Sequence, residues 1–505
     1  MLARVWSAAV RGIDGYPVSV ELDLANGLPS YTTVGLPDVA VKESRDRVVA
    51  AVRNSGYEYP CRRVTVNLAP AEFRKRGTQF DLPVALGLLT ASGQLEAGEW
   101  MGRYCFMGEL ALDGSVKPVS GVLPMAAAAR AHGMSALVLP RPNAAEAAAT
   151  GLRSYGVRTL REAAALLSGL GEVAPAAAPP RAPGAEGVDD LSDVRGQTVA
   201  KRALEIAAAG GHNVLLFGPP GTGKSMLASR LPGLLPELGE EEALEVARIR
   251  SVVGLLPPGA WPSARPYRAP HHTMSQYALI GGGSPCRPGE VTLAHRGVLF
   301  LDELPEFSRE CRESLRVPLE TGRAVVSRLN DSVDFPARFM LAAAMNPCPC
   351  GYRGHPDRPC SCSPAEVRRY RQRISGPLWD RFDLRVEVAA LPFSDWNAPA
   401  AGETSAVVRA RVVRARGAQA KRLGRPGGVN ATMTTRETRR YCRLDGAGEA
   451  LLEGAAKRLA LSGRGLNRIM KLARTIADLA ESADLTADHV AEAVRLSGRG
   501  EDIKE

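Results

Sequence analysis

The chain has 505 residues, a formal net charge of +10 and 45% hydrophobic residues. This length and composition predict a globular protein of about three or four domains. No apolar run of about 18 residues is present, which argues against a membrane span, and without an apolar leader we expect a cytoplasmic protein. The positive charge is compatible with an anionic partner such as nucleic acid, or with compositional bias toward Arg and Ala.

Taken in chain order, the sequence patterns predict an α/β multidomain protein. In the first third, "VSVELDLA" and "RVTVNLAP" alternate like strands, and "DVAVKESRDRVVAAVRNSG" has helical apolar spacing. "GEVAPAAAPPRAPGAEG" predicts a flexible linker. Three apolar strands then alternate with helices, as in a parallel sheet, and four helical patterns follow from about residue 403. We predict domains over 1–170, 189–400 and 401–505, with the linker over 171–188.

A glycine-rich turn follows the first of the three apolar strands. "GPPGTGKS" fits G-x-x-x-x-G-K-[ST] between a strand and a helix start. Backbone N–H groups of such a turn surround phosphate oxygens, Lys224 would neutralise the β- and γ-phosphates, and Ser225 would bind Mg²⁺. We therefore predict an ATP and Mg²⁺ site formed by Gly218, Pro219, Pro220, Gly221, Thr222, Gly223, Lys224 and Ser225.

The second and third strands end in polar residues. "VLFLDE" places Asp302, a predicted Mg²⁺ ligand, and Glu303, which would activate the attacking water, at a strand end. Asn346 ends the next strand, where it would reach the γ-phosphate or merely form a turn before Pro347.

Arginines in the downstream helices are further candidates. Arg381 in "GPLWDRFDL" would stabilise transition-state charge in a neighbouring subunit, or would pair with Asp380 or Asp383. Arg464 and Arg468 lie at the start of a later helix, where they would contact phosphate or solvent.

Four of the nine cysteines form one cluster, "CPCGYRGHPDRPCSC". Cys348, Cys350, Cys360 and Cys362 could supply four thiolates to one structural Zn²⁺. The alternative is a reduced loop without metal, and His355 is either a substitute ligand or a polar loop residue.

Candidate nucleic-acid contacts surround this cluster. "EVRRYRQR" places Arg368, Arg369, Arg371 and Arg373 in a phosphate-binding stripe or on a solvated helix face. A hairpin is predicted over residues 322–335, from two short strands around "LND". The adjacent histidines of "APHHT", His271 and His272, seldom chelate one ion, so we assign them to an insertion and to no metal.

In order along the chain, "DLSDVRGQ", the phosphate loop, "VLFLDE", Asn346, Arg381 and Arg464 resemble the AAA+ ATPases. "RPYRAPHHTMSQYALIGGG", "PGEVTLAHRGVLFLDELPEF", "AAAMNPCPCG" and "KLARTIADLA" resemble the magnesium-chelatase-like branch, and within it the YifB/ComM group. The resemblance implies an AAA+ core, a C-terminal helical lid and a homohexameric ring. It makes Asn346 sensor 1, Arg381 the arginine finger and Arg464 the sensor 2 candidate. Because hairpins of related helicases point into the ring pore, it also implies that the hairpin over residues 322–335 presents Arg328 to DNA, the alternative being a solvated arginine on a surface hairpin.

For function, the resemblance implies an ATP-driven DNA helicase that promotes branch migration in recombination or natural transformation, with recombination proteins as further partners. Two alternatives stay open. One is a chelatase-like motor that remodels a protein partner, and the other is an ATP-dependent assembly scaffold without motor activity.

Residues 1–170 resemble a Lon-protease-like α+β domain through "GELALDGSVKPVSGVLPMAAAARAHGMSALVLP". Gln79 stands where proteolytic members carry the serine nucleophile, and Leu123 where they carry the lysine. Glutamine cannot act as an acyl nucleophile and leucine cannot act as a base. We therefore expect no peptidase activity.

Overall fold

The computed structural model describes residues 1–96, 98, 100–180, 189–257, 259–283, 286–328, 331–391 and 402–498. The chain divides into two compact units. The first unit comprises Met1–Ala182 and Glu240–Pro262, and the second comprises Pro183–Gly239 and Ser263–Glu505. No sequence pattern indicated that Glu240–Pro262 belongs to the first unit. Elements are numbered along the whole chain.

The first unit is built on a seven-stranded mixed sheet in the order β3-β4-β2-β1-β5-β8-β9. Its strands, together with the short β6–β7 ladder, are β1 (Leu2–Arg11), β2 (Asp14–Ala25), β3 (Ser30–Val34), β4 (Arg63–Ala69), β5 (Tyr104–Phe106), β6 (Glu109–Leu110), β7 (Val116–Lys117), β8 (Ala136–Pro140) and β9 (Arg153–Val157). Its helices are α1 (Val39–Asn54), α2 (Asp81–Ala91), α3 (Trp100–Arg103), α4 (Val122–Ala131), α5 (Ala144–Ala148), α6 (Leu160–Leu167) and α9 (Glu240–Val252).

The elements predicted in the first third of the chain are confirmed, and their causes are local. α1 begins after Asp38, whose carboxylate accepts the Val41 N–H at 2.9 Å, and it buries Val41, Val48 and Val52. Apolar side chains alternate along β2 and β4, and every second side chain is buried over most of the length of both strands. α2 is apolar on nearly all sides and is buried almost throughout, so it forms the centre of this unit's core.

The predicted linker is ordered over part of its length. Pro175 bridges to Tyr155 beside β9, and the Ala176 N–H donates to the Ser154 carbonyl at 2.8 Å. These residues therefore belong to the first unit's sheet edge, and the flexible segment predicted from Gly171 onward does not include them. Residues 181–188 lie outside the described residues.

The second unit contains a five-stranded sheet in the order β11-β14-β17-β10-β18, in which all neighbours are parallel. This confirms the predicted parallel α/β sheet. The strands of this unit are β10 (Val214–Phe217), β11 (Tyr267–Arg268), β12 (Gly281–Gly282), β13 (Arg287–Pro288), β14 (Val298–Leu301), β15 (Arg323–Arg328), β16 (Asp331–Pro336), β17 (Met340–Met345) and β18 (Leu384–Glu387). β10, β14 and β17 are buried along their whole length. Their carboxyl ends meet at one edge of the sheet, where ligands of such sheets bind.

The helices of this unit before residue 400 are α7 (Thr198–Gly210), α8 (Lys224–Leu234), α10 (Gln276–Ile280), α11 (Glu290–Leu293), α12 (Arg309–Ser314), α13 (Arg316–Thr321), α14 (Pro364–Arg371) and α15 (Gly376–Trp379). The predicted hairpin is confirmed as the antiparallel pair β15–β16, with Arg328 at the end of β15 opposite Asp331.

The tail of the described chain holds five helices, one more than predicted. They are α16 (Ser405–Leu423), α17 (Thr435–Tyr441), α18 (Gly446–Arg458), α19 (Gly463–Leu479) and α20 (Ala487–Gly498). The missed helix is α17, which is too short for a clear apolar period. The sequence nevertheless contains a signal for the start of this helix, because Thr434 and Glu437 form a reciprocal capping box. Across the described part of the chain, no helix combines the length and apolarity that crossing a bilayer requires.

Candidate nucleotide and metal sites

The glycine-rich turn lies between β10 and α8, at the carboxyl edge of the parallel sheet. Gly218 opens the turn against the neighbouring backbone, since a Cβ there would lie 2.1 Å from the Val388 carbonyl oxygen. Gly223 precedes α8 with φ of +89°, which brings the chain into the helix with its N–H groups free to face a ligand. The local geometry is therefore that of a phosphate-binding loop.

Lys224 is enclosed by this loop. Its Nζ donates to the carbonyl oxygens of Gly218 at 2.8 Å and Pro219 at 2.7 Å, and to Asn346 Oδ1 at 3.2 Å. Burial lowers the pKa of Lys224, while the charges of Asp302 and Glu303 oppose that shift. The ammonium group thus lies between the loop and the end of β17, where phosphate oxygens would replace its present acceptors.

Ser225 and Asp302 meet in front of the loop. The Ser225 hydroxyl donates to Asp302 Oδ2 at 2.6 Å, and the Glu303 N–H donates to Asp302 Oδ1 at 2.9 Å. A hydroxyl and a carboxylate are hard oxygen ligands of the kind that Mg²⁺ prefers when it also contacts phosphates. The donor set therefore fits Mg²⁺, with Ser225 and Asp302 as its protein ligands.

Glu303 has an unusual backbone conformation, and its side chain lies next to His272, a histidine that the sequence assigned only to an insertion. The Glu303 backbone lies in the left-handed region, with φ of +50°. Its Oε2 lies 3.4 Å from His272 Nδ1, and the His272 ring packs edge-on against Phe307. His271, which stacks on His272, instead bonds Thr273 through Nδ1 at 2.9 Å. We interpret His272 as a residue that orients the Glu303 carboxylate.

If His272 orients Glu303, its removal should affect the chemical step and not ATP binding. We expect His272→Ala to lower kcat for ATP hydrolysis on the order of tenfold with KM nearly unchanged. His271→Ala is the matched control, because it removes the neighbouring ring that does not contact Glu303. Steady-state ATPase kinetics test this, and equal effects of the two substitutions, or a change confined to KM, would count against the interpretation.

Arg381 has a partner within the chain, but not either of the aspartates that the sequence suggested. Its Nη2 lies 2.8 Å from Glu320 Oε2 and the side chain is only 18% exposed. Its carbonyl accepts from Asn213 Nδ2 at 2.9 Å, and Asn213 Oδ1 in turn accepts the Leu341 N–H of β17. The arginine is thus fixed relative to the strand that carries Asn346, and its guanidinium group forms an ion pair with Glu320.

Of the two arginines at the start of α19, Arg468 has a hydrogen-bond partner among the described residues and Arg464 has none. Arg464 is exposed at the start of α19 and makes no hydrogen bond or ion pair with any described residue. Arg468, one turn later, is half-buried, and its Nη1 donates to the Phe382 carbonyl at 3.4 Å beside Arg381. Arg468 therefore contacts the residue next to Arg381, and the role of Arg464 at the nucleotide stays a prediction.

A cavity of about 400 Å³ adjoins the phosphate loop and was missed from the sequence. It is lined by Gln197, Arg385, Leu391 and Arg495, among others. Gln197 Nε2 donates to the Ala389 carbonyl at 2.7 Å. The same Nε2 lies 3.5 Å from the carbonyl oxygen of Thr222, which connects the lining of this cavity to the phosphate loop. The available signal was Gln197 itself, the last residue of the "DLSDVRGQ" motif.

The four clustered cysteines converge on one point. Sγ–Sγ distances are 3.4 Å for Cys348–Cys350, 3.6 Å for Cys348–Cys360 and 3.5 Å for Cys350–Cys360, and all four sulfurs lie within 4.8 Å of one another. A tetrahedron of Zn–S bonds of about 2.3 Å has edges of about 3.8 Å, so the cluster fits Zn²⁺. His355 is not in this group, because its Nδ1 accepts the Asp357 N–H at 3.1 Å.

The cysteine loop also contacts the nucleotide site. Gly351 has φ of +86°, and a Cβ there would lie 2.9 Å from Pro220 Cδ in the phosphate loop and 3.9 Å from Asn346 Cγ. The backbone of Asn346 is hydrogen-bonded to Tyr370 in α14, just after the cluster. A metal at the cysteines would therefore stabilise the loop that packs on Pro220.

The four arginines after the cluster do not form one stripe. Arg368 and Arg369 are exposed on α14. Arg371 is directed to the Pro347 carbonyl at 3.4 Å, and Arg373 pairs with Glu306 at 2.6 Å. Arg368, Arg369 and Arg373 are therefore exposed, and of these three Arg373 is the one with an ion-pair partner among the described residues.

The positions aligned with the protease dyad lie in the first unit and are largely buried. Gln79 Nε2 donates to the Arg76 carbonyl at 2.9 Å, and Leu123 is fully buried at the start of α4. Neither side chain offers a nucleophile or a base.

Comparison with known protein families places these sites in a known context. Residues 190–396 match the family model described as magnesium chelatase, subunit ChlI. Residues 20–143 match subunit ChlI of Mg-chelatase, and residues 402–497 match the ChlI C-terminal model.

Two individual relatives match nearly the whole chain, and a third matches part of it. Competence protein ComM of Haemophilus influenzae is 46% identical over 501 residues, covering 98% of this chain and 97% of ComM. YifB of Escherichia coli is 45% identical over 500 residues, covering 98% and 96%. The magnesium-chelatase 38 kDa subunit of Rhodobacter capsulatus is 31% identical over 177 residues, covering 31% of this chain and 50% of that subunit. The chain therefore belongs to the YifB/ComM family of magnesium-chelatase-like proteins, which are of AAA+ type.

Proposed function

We propose that this protein is an ATP-hydrolysing AAA+ ring motor that acts on DNA and promotes branch migration during recombination or natural transformation. The observation that carries the ATPase part is the meeting of Lys224, Ser225, Asp302 and Glu303 at one edge of the sheet, next to Asn346. Such a set binds nucleotide phosphates and Mg²⁺ and presents a carboxylate to water. The relationship to competence protein ComM supports the proposed role in natural transformation.

The ring follows from the role proposed for Arg381. An arginine that stabilises transition-state charge from a neighbouring subunit needs a symmetric assembly in which every site borders a partner. In the chain by itself the guanidinium is paired with Glu320. We propose a homohexamer in which Arg381 exchanges this carboxylate for the neighbour's phosphate.

Comparing ATP hydrolysis without DNA with hydrolysis on single-stranded, duplex and four-way-junction DNA tests the proposed substrate. We expect DNA to stimulate hydrolysis, with the junction among the effective forms. Equal rates in all four conditions would reject DNA as the substrate.

Arg368 and Arg369 are proposed DNA contacts because α14 exposes both of them. Replacing both with alanine should reduce the slope of log binding constant against log salt by about two, one for each lost phosphate contact. Arg62 and Arg63, an exposed adjacent pair in the first unit, provide a charge-matched control. An unchanged slope for Arg368→Ala/Arg369→Ala would assign the pair to a solvated face.

A second candidate function is ATP-driven remodelling of a protein partner, as in a magnesium chelatase. It is favoured by the match of residues 190–396 to the chelatase subunit model. ATPase activity that responds to a protein partner and ignores every DNA form would support it over the first candidate.

We also propose that the first unit has no peptidase activity, since Gln79 and Leu123 stand at the aligned dyad positions. We expect no cleavage of casein above background, with or without ATP, in a gel-based assay. ATP-stimulated cleavage that disappears in Gln79→Ala would contradict this proposal.

A further inference from the structure

One segment of the chain belongs to a different compact unit from the residues on either side of it. α8 ends at Leu234 and β11 begins at Tyr267, both in the second unit, yet Glu240–Pro262 between them is part of the first. We call Glu240–Pro262 the connecting arm. The chain thus passes between the units three times, once near Ala182 and once at each end of the arm.

The connecting arm is built into the first unit's interior. α9, which forms most of the arm, buries Ala243, Val246, Ala247 and Ile249. It packs against α4, whose buried side chains include Met125 and others along the same helix. An arm that buries an apolar helix face in this way is part of the fold of the first unit and not a surface loop.

Polar contacts fix the arm to the start of α4. Gly121, the N-cap of α4, has no side chain to cap the helix, and its N–H donates to the Ser251 carbonyl at 2.8 Å. The Leu123 N–H, buried at the same helix end, donates to Ser251 Oγ at 3.2 Å and to Glu146 Oε1 at 3.1 Å. Free N–H groups at a helix start need partners when buried. Ser251 of the arm accepts from both of these N–H groups, and Glu146 of the first unit shares the second.

In the second unit, the residues that flank the arm on its two sides are hydrogen-bonded to each other and to the segments that lead to the nucleotide site. The Leu238 N–H donates to the Ser263 carbonyl at 2.9 Å. Arg265 Nε donates to the Pro236 carbonyl at 2.6 Å, and its Nη1 donates to the Arg296 carbonyl at 2.8 Å. Arg296 precedes β14, the strand that ends at Asp302, and Pro236 follows α8, the helix that begins at Lys224.

We propose that the connecting arm, and not the linker near Ala182, anchors the first unit to the nucleotide-binding chain and carries ATP-dependent movement from α8 and β14 to α4. The anchoring half is independent of what the protein does, whereas the transmission half rests on the ATP binding proposed above.

Cutting the linker in the full-length protein tests the anchoring. A recognition sequence for a site-specific protease is inserted between Ala182 and Pro183, the protein is cleaved, and the products are separated by size-exclusion chromatography without denaturant. We expect the two pieces to elute together. Ala247→Asp, which places an unpaired carboxylate against α4, should weaken their association at least about tenfold, whereas Glu241→Ala, at an exposed position of α9, should not.

Binding of a fluorescent ATP analogue to the cleaved Ala247→Asp sample shows whether the second unit is still folded. Pieces that separate in the unsubstituted protein, or that stay together in Ala247→Asp while the analogue still binds, would overturn the anchoring.

Transmission is tested by hydrogen–deuterium exchange in the uncut protein with and without a non-hydrolysable ATP analogue. We expect nucleotide to change exchange in the peptides that contain residues 121–125 and 246–252, as well as in the phosphate loop. A change confined to the phosphate loop would overturn transmission, while no change in that loop would show that ATP binding itself had failed.

Discussion

Glu303→Gln should abolish nearly all ATP hydrolysis while leaving ATP binding intact. Glutamine keeps the shape of the side chain and its distance to His272, but it cannot accept a proton from water. Since general base catalysis contributes about 10²–10⁴-fold, we expect kcat to fall by a factor in this range. Steady-state hydrolysis and equilibrium binding of a fluorescent ATP analogue measure the two effects separately.

Two comparisons sharpen this experiment. Lys224→Ala should lose ATP binding itself, because the ammonium group lies within the phosphate loop. Glu310→Gln removes the charge of an exposed carboxylate in α12, and it should behave like the unsubstituted protein. Hydrolysis within about threefold of normal in Glu303→Gln would mean that another group activates the water, because a lost base costs far more.

Removing a thiolate from the cysteine cluster should release the metal and weaken ATP binding together. We expect protein purified without chelator to contain about one zinc per chain, and Cys360→Ser to lose it, because a structural zinc site needs all four ligands. Zinc sites of this kind contribute on the order of 10 kcal/mol to local folding. Gly351 packs on Pro220, so loss of the ordered loop should lower ATP affinity, about tenfold by analogy with other groups that support a site from outside.

Elemental analysis and binding of the ATP analogue measure these effects. Cys61→Ser is the matched control, because Cys61 is exposed and lies outside the cluster. Absence of zinc in the unsubstituted protein would contradict the metal site. Loss of zinc without any loss of ATP affinity would keep the metal but remove its connection to the phosphate loop.

Some of this arrangement could be predicted from the sequence, because its determinants are local. The phosphate loop and "VLFLDE" are contiguous segments with a fixed chemistry, and apolar runs at β10, β14 and β17 predict a buried parallel sheet. Parallel strands align their carboxyl ends, which is why Lys224, Asp302 and Asn346 could be expected at one edge. The four cysteines are likewise close in sequence.

The remaining features depend on tertiary contacts that no local pattern encodes. His272 lies 31 residues before Glu303, and only the pairing of β11 with β14 brings them together. Glu320 approaches Arg381 from α13, so the sequence suggested the nearer Asp380 and Asp383 instead. No sequence pattern assigned the connecting arm to the first unit, because its place there depends on the contacts of Ser251 and the buried face of α9. The composition of residues 171–188 predicted a flexible linker, but it could not show that the Ala176 N–H would bond the Ser154 carbonyl of β9.

The central claim is that ATP hydrolysis at this site is coupled to the movement of DNA strands. It is tested most directly by following conversion of a fluorescently labelled four-way junction into separate duplexes in the presence of ATP and Mg²⁺. We predict conversion by the unsubstituted protein with ATP, and none with a non-hydrolysable analogue or with Glu303→Gln. No conversion by protein that hydrolyses ATP normally, or equal conversion without hydrolysis, would contradict the claim.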